Sequence, residues 1–275
     1  LSTALVPSTG WSWSPAGSIA GSGTGLDPHK VWDPEIDTIM ANVISRGDAK
    51  KANDAMRNWV DNSQPAPLGL PADLREWAAE NSKLPSWADR KLLKRSTEYA
   101  AKIDTQTYIL NFLGGGIMST VIPREAKSVY WSKGGADMQD RAAKTFTFGY
   151  DLTDLNAFEP SGQMIVTGNK TRLVHAAVRH LLPQSPYWKA VADEAIPISN
   201  ADILVTFHST GTFAHKMMKK WGVRMSAAEE EAFLHHWQVA LHLLGVRDEY
   251  IPATWADAHA QSAQVLEPIL ALTPE

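Results

Sequence analysis

Apolar residues recur along this chain at spacings of three and four, the repeat that gathers them on one side of a helix, and hardly anywhere at spacings of two. Helices are therefore expected over Glu35–Ser45, Asp48–Asn58, Ala72–Asn81, Trp87–Leu113, Arg124–Tyr130, Met138–Phe148, Asn169–Leu182, Asn200–Trp221 and Ala227–Leu244. Pro71 precedes Ala72, Pro123 opens the Arg124 segment, Ser226 stands three residues before Glu229 as in a capping box, and Gly245 follows the last long stretch. TFTFGYDL and GQMIVTG are the stretches that alternate as a strand would. The Gly-, Ser- and Pro-rich start, residues 1–30, reads as an extended arm that Trp11 and Trp13 can pin to a surface, and residues 31–275 as one helical domain. The expected fold class is mainly α.

With 275 residues, 44% of them hydrophobic, the chain can bury a large core. A formal net charge of -4 gives no reason to expect nucleic acid or an anionic membrane as partner. With 0 cysteines, disulfides, iron–sulfur clusters, thiolate-ligated haem and covalent haem attachment through CxxCH are excluded, so a metal must take nitrogen, oxygen or methionine ligands. YILNFLGGGIMSTVIP, from Tyr108 to Pro123, is too short and too interrupted for a membrane span and reads as a buried helix whose glycines let another backbone come close. The first residue is Leu1 and no signal-like run follows it, so the chain is expected to be processed or trimmed.

Chemistry has a few candidate places. RLVHAAVRHLL, Arg172 to Leu182, is apolar around most of a helix yet carries His175, whose imidazole must find a backbone carbonyl, a carboxylate or a metal. In DRAAKTFTF the side chains of Arg141, Lys144 and Thr145 share a helix face, which suits either a solvated basic edge or a pocket wall. Glu125 lies at a helix start, where a carboxylate is a favourable dipole partner. In PISNADILVTFHS, Asp202, Thr206 and His208 enter an apolar context; the threonine can bond back to its own helix and the histidine can be a satisfied core residue. No HExxH zinc pattern, GxGxxG turn or GxxxxGK phosphate loop is present.

Taken in order, Glu125 in PREA, DRAAKTFTF, KTRLVHAAVRHLL and PISNADILVTFHS resemble the latex-clearing protein family, b-type haem rubber oxygenases within a wider group that includes fungal enzymes cleaving prenyl side chains. The resemblance covers roughly Ile117 to Leu244. It implies a globin-like helical core with additional helices, non-covalent haem b, and attack by dioxygen on the double bonds of poly(cis-1,4-isoprene) to give oligo-isoprenoids with aldehyde and ketone ends. By the same resemblance His175 is the proximal iron ligand, Lys144 a distal ligand in a closed state, and Arg141 and Thr145 distal-pocket residues. Glu125 is the acid/base group, Arg179 a structural arginine near the cofactor, and Thr206 and His208 neighbours of the haem pocket. It further implies a monomer acting outside the cell on an insoluble polymer. The chain is shorter than typical members, which leaves open a small prenyl or unsaturated lipid substrate; a non-catalytic haem sensor is the other alternative.

Overall fold

The computed structural model describes residues 13–272 except Thr24, residues 132–137 and Asp193; the side chains of Ser22, Asp104, Thr107, Tyr108, residues 111–113, Ser128, Val129, Trp131, residues 138–142, Lys144 and Val191 also lie outside the described set. Within it the helices are α1 Pro34–Ser45, α2 Ala49–Arg57, α3 Ala72–Asn81, α4 Arg90–Lys102, α5 Asp104–Asn111, α6 Pro123–Trp131, α7 Met138–Thr153, α8 Met164–Leu181, α9 Pro186–Val191, α10 Asn200–Phe207, α11 Phe213–Lys220, α12 Ala227–Leu243 and α13 Trp255–Val265. The described sheet is a single antiparallel hairpin, β1 Gly17–Ser18 with β2 Gly21–Ser22. The fold is mainly α, as the periodicity requires, and no described helix is long and apolar enough to cross a membrane.

Helix α12 is the hub because from Leu234 to Leu241 it is buried on every side, its polar members His235, His236 and Gln238 included. Leu234, Trp237, Val239, Ala240, Leu241 and Leu243 are all buried, and the helix packs on α4, α8 and α10. A second core lies under α1 to α3, built on Trp59 and Trp77, each 1% exposed, with Leu74 and Ile36. Helix α8 enters both: Met164 and Ile165 join the core around α12, and Val166, Leu173 and Ala176 join the second. Burial on two sides leaves α8 little freedom to rotate or slide, so it is a rigid platform for any side chain it presents.

Several boundaries differ from expectation, each for a local reason. The stretch Trp87–Leu113 is not one helix. Asp89 caps α4, accepting from Lys91 N at 2.7 Å and Leu92 N at 3.3 Å, so the helix begins at Arg90; Ile103 interrupts it, and a π-helical turn, Phe112–Ile117, follows α5. Asn200–Trp221 is likewise divided by a π turn at His208–Thr212. TFTFGYDL lies within α7 and the MIVTG part of GQMIVTG opens α8, where helical context outweighs their β-propensity and their hydroxyls find partners in the helices. Thr147 Oγ1 donates to the Ala143 carbonyl at 3.0 Å, and Thr167 Oγ1 donates to Asp151 at 2.6 Å. The described part of the arm forms the hairpin and docks on the C-terminal region, with Ile19 N donating to the Ile251 carbonyl at 3.0 Å and Trp13 meeting Tyr250 edge-on at 5.8 Å; Trp11 lies outside the described residues. Gly114 does allow a close backbone approach: a Cβ there would stand 2.5 Å from the Ser209 carbonyl oxygen.

Candidate active site

Two helix starts converge on Glu125. Pro123 begins α6 and places Glu125 in its first turn. Opposite, Ser199 and Asp202 form the capping box of α10, with Ser199 N donating to Asp202 Oδ2 at 2.8 Å. That cap fixes the rotation of α10 so that Thr206, one turn later, donates its hydroxyl to Glu125 Oε1 at 2.5 Å and also lies 3.1 Å from the Asp202 carbonyl. Loss of water around Glu125 pushes its carboxyl up to about 7; the Thr206 hydrogen bond opposes this rise and the Asp202 charge adds to it. Arg124, the neighbouring residue, bridges to Glu194 at 2.7 Å and to Asp202 at 3.7 Å. Burial and that guanidinium hold the nearby His29 imidazole down at about 4, so it is neutral.

Helix α8 carries His175, half-buried and with Nδ1 shielded from solvent. One flank of the helix is clamped. Arg172 makes a two-pronged bond to Asp33, donates to Asn81 Oδ1 at 2.7 Å, and lies 5.2 Å over the Trp77 ring. Arg179, seven residues on, donates to Asp37 at 2.7 Å and to the Ile198 carbonyl at 3.1 Å. Ile198 holds φ at 56°, a strained region for a β-branched residue, and Arg179 thereby ties α8 to the turn that launches α10. On the other flank of His175, Val174 is 59% and Leu181 49% exposed. An imidazole on a rigid helix beside an uncovered apolar strip suits a flat apolar macrocycle with iron at its centre, since the nitrogen can supply the axial bond and the strip the cover. Among the described residues, no group of His, Asp and Glu gathers as a bare metal ion would need.

Residues 103–275 match the family described as ER-bound oxygenase mpaB/B'/Rubber oxygenase, catalytic domain. The chain belongs to that family. It is 55% identical over 266 residues to the rubber oxygenase of Streptomyces sp. (strain K30), a match covering 96% of this chain and 65% of that protein. A solved structure of latex clearing protein in the closed state is similar with a TM-score of 0.92 at 55% identity, over 96% of this chain and 72% of that one. The chain thus spans just under two thirds of the length of the Streptomyces protein.

Within this rubber oxygenase family member, the expected site residues have distinct surroundings. Glu125 and Thr206 are in direct contact, and Arg179 is buried as a clamp of α8. Thr145 is exposed on α7, which packs on both α6 and α8; the side chains of Arg141 and Lys144 lie outside the described residues. His208 is fully buried with both ring nitrogens committed, Nδ1 to Thr212 Oγ1 and Nε2 to Gln261 Oε1, each at 2.8 Å. An amide oxygen only accepts, so Nε2 carries the hydrogen and the ring has no lone pair to offer a metal. Burial drives its pKa down to about 3. Sequence reading assigned no role to Arg124, Glu194, Arg172 or Asp33; the one local signal was Ser199 three residues before Asp202, a capping box that fixes where α10 points.

Proposed function

We propose that this chain is a haem b-dependent dioxygenase that cleaves the carbon–carbon double bonds of poly(cis-1,4-isoprene), releasing oligo-isoprenoids with aldehyde and ketone ends. The names of its relatives, rubber oxygenase and latex clearing protein, support the reading. The observation that carries it is Glu125: a carboxyl at a helix start that would ordinarily be fully ionised, yet is pushed up to about 7 and held by Thr206. Such a group is half ionised near neutrality, which is the condition for accepting a proton in one step and returning it in another.

In this reading His175 would hold the iron from α8, and Lys144 would be a further ligand in a closed state. Haem b, when bound, supplies the activation of dioxygen. The exposed apolar side chains Val174 and Leu181, beside His175 on α8, would offer the macrocycle a surface without polar groups to desolvate. Arg141 and Thr145, from α7, would serve as the distal-pocket residues that the resemblance implies. Glu125 takes an allylic proton from the hydrocarbon on the carboxyl oxygen that faces Thr206, so the base does not swing during the transfer. Arg179 keeps α8 in register with α10, and His208 keeps the π turn behind Thr206 in shape. We place the enzyme outside the cell and as a monomer, because an insoluble polymer must be met where it lies.

The test is incubation of the haem-loaded protein with finely dispersed poly(cis-1,4-isoprene) in air, with His175→Ala as control. Mass spectrometry of carbonyl-terminated products should show a ladder spaced by one isoprene unit that the control lacks. No ladder from a protein with an intact Soret band overturns the polymer as substrate, and oxygen uptake with short prenyl compounds then identifies a smaller one.

A further inference from the structure

The Thr206 hydroxyl has two acceptors within reach and one hydrogen to give: Glu125 Oε1 at 2.5 Å on α6, and the carbonyl of Asp202 at 3.1 Å one turn back on its own helix. A hydroxyl also accepts, so it can bond to the carboxyl in either protonation state. We propose that Thr206 is the positioning residue of Glu125, its hydroxyl turning between the carboxylate and the Asp202 carbonyl so that Glu125 keeps one rotamer and its contact with Thr206 whether ionised or protonated. When Glu125 is ionised, Thr206 donates to Oε1. When Glu125 has taken its proton, the new O–H donates to Thr206 Oγ1, and the threonine hydrogen turns to the Asp202 carbonyl. No bond other than O–H is made or broken. The inference rests on the reading of Glu125 as the base and says how that base is held.

The surroundings support a hinge at the hydroxyl rather than at the carboxyl. The Asp202 backbone is fixed by its capping box and by the strained turn at Ile198 that Arg179 holds, and the Glu125 backbone by the first turn of α6. Among the described residues, these charged groups lie nearby. From α10, Asp202 faces Glu125 and disfavours its ionisation, while Arg124 and its partner Glu194 draw on the Asp202 charge. His29 is neutral beside them, Lys127 lies two residues along α6, and α9 carries Lys189. Arg141 and Lys144 of α7 lie outside the described side chains. Thr206 is itself exposed, so its own substitution does not open the core.

The test compares Thr206→Val, which keeps the shape and removes the hydroxyl, with Thr206→Ser, which keeps the hydroxyl. Glu125 is titrated in the haem-loaded proteins by infrared difference spectroscopy, its carboxyl band assigned by loss in Glu125→Gln. A charge-assisted hydrogen bond removed from the ionised form should raise the Glu125 midpoint by about one pH unit in Thr206→Val. Because the ionised form is the active base, the acid limb of the rate profile should move up with it, giving about a fivefold loss of kcat at pH 7 that fades above pH 9. KM should hardly change, and Thr206→Ser should restore both midpoint and rate. An unmoved Glu125 midpoint in Thr206→Val, with wild-type turnover intact, overturns the inference. A moved midpoint in proteins that leave polyisoprene untouched overturns the proposed function and leaves the positioning role standing.

Discussion

Replacing Arg172 by methionine should destabilise the protein severely, and the structure says by how much. Arg172 is 13% exposed and its partner Asp33 9%, with Gly245 packed so closely that a Cβ there would lie 2.5 Å from the Asp33 carboxylate. Methionine retains the packing against Trp77 but strips a shielded carboxylate of its cation and leaves Asn81 Oδ1 without its donor. Breaking such a pair on one side costs about 4 kcal/mol, which in a chain of this size lowers Tm by ~12 °C. Thermal unfolding followed by circular dichroism at equal haem loading measures it, with the double variant Arg172→Met/Asp33→Leu as the decisive arm. An apolar pair of similar volume should recover more than half of the loss, since the penalty lies in the abandoned charge and not in the missing bond. A double variant no more stable than Arg172→Met, or a single variant within about 3 °C of wild type, would refute the reasoning.

Glu125→Gln should lower kcat by about a hundredfold or more at unchanged Soret intensity, because it removes the proton acceptor and leaves the fold alone; undiminished product formation would exclude an essential proton transfer. Gly211→Ala puts a Cβ 2.7 Å from Trp237 Nε1 and 2.8 Å from a Phe207 ring carbon, both buried rings, and should cost about 1–3 kcal/mol in a urea unfolding titration. Stability should fall as pH drops from about 6.5 toward 4, where the unfolded chain protonates histidines that the fold keeps neutral: His208 is held at about 3, and His29, His215 and His236 at about 4. Glu125 works in the opposite direction, binding a proton more tightly when folded between its ordinary 4.5 and about 7, and so offsets one of them. Urea midpoints that stay level across that window would contradict the burial of these imidazoles.

The helices were legible where period and caps agreed: α3 was expected over Ala72–Asn81 and is found there, and the Ser226 capping box starts α12 as read. Two things were not. The strand-like run GQMIVTG could not reveal that the first turn of α8 is buried on two sides, Met164 and Ile165 toward one core and Val166 toward the other, so that three successive positions are apolar and the helical period is locally lost. The π turns at Phe112–Ile117 and His208–Thr212 shift helical phase by a residue, a change that a three-and-four pattern absorbs without trace. In the site, Glu125, His175 and Thr206 were named by the family resemblance, their residue types alone leaving ordinary structural roles open, and the supports arrive from far along the chain. Asp33 meets Arg172, and Glu194 meets Arg124, through tertiary packing that no local spacing encodes.

The turn at His208–Thr212 is a spare residue wound into an otherwise continuous rod of helix from Asn200 to Lys220. Deleting one residue there would let the rod close into a regular helix, with no loss of backbone bonding. Everything beyond would then be rotated by about 100°, the angle between successive residues. Ala214 and Met218 would leave the core they fill, and His215 would leave Trp255, on which it now stacks at 3.9 Å. The surplus residue works as a gear tooth between two halves of one helix: it lets Thr206 face Glu125 upstream while the downstream half keeps its own apolar side turned inward.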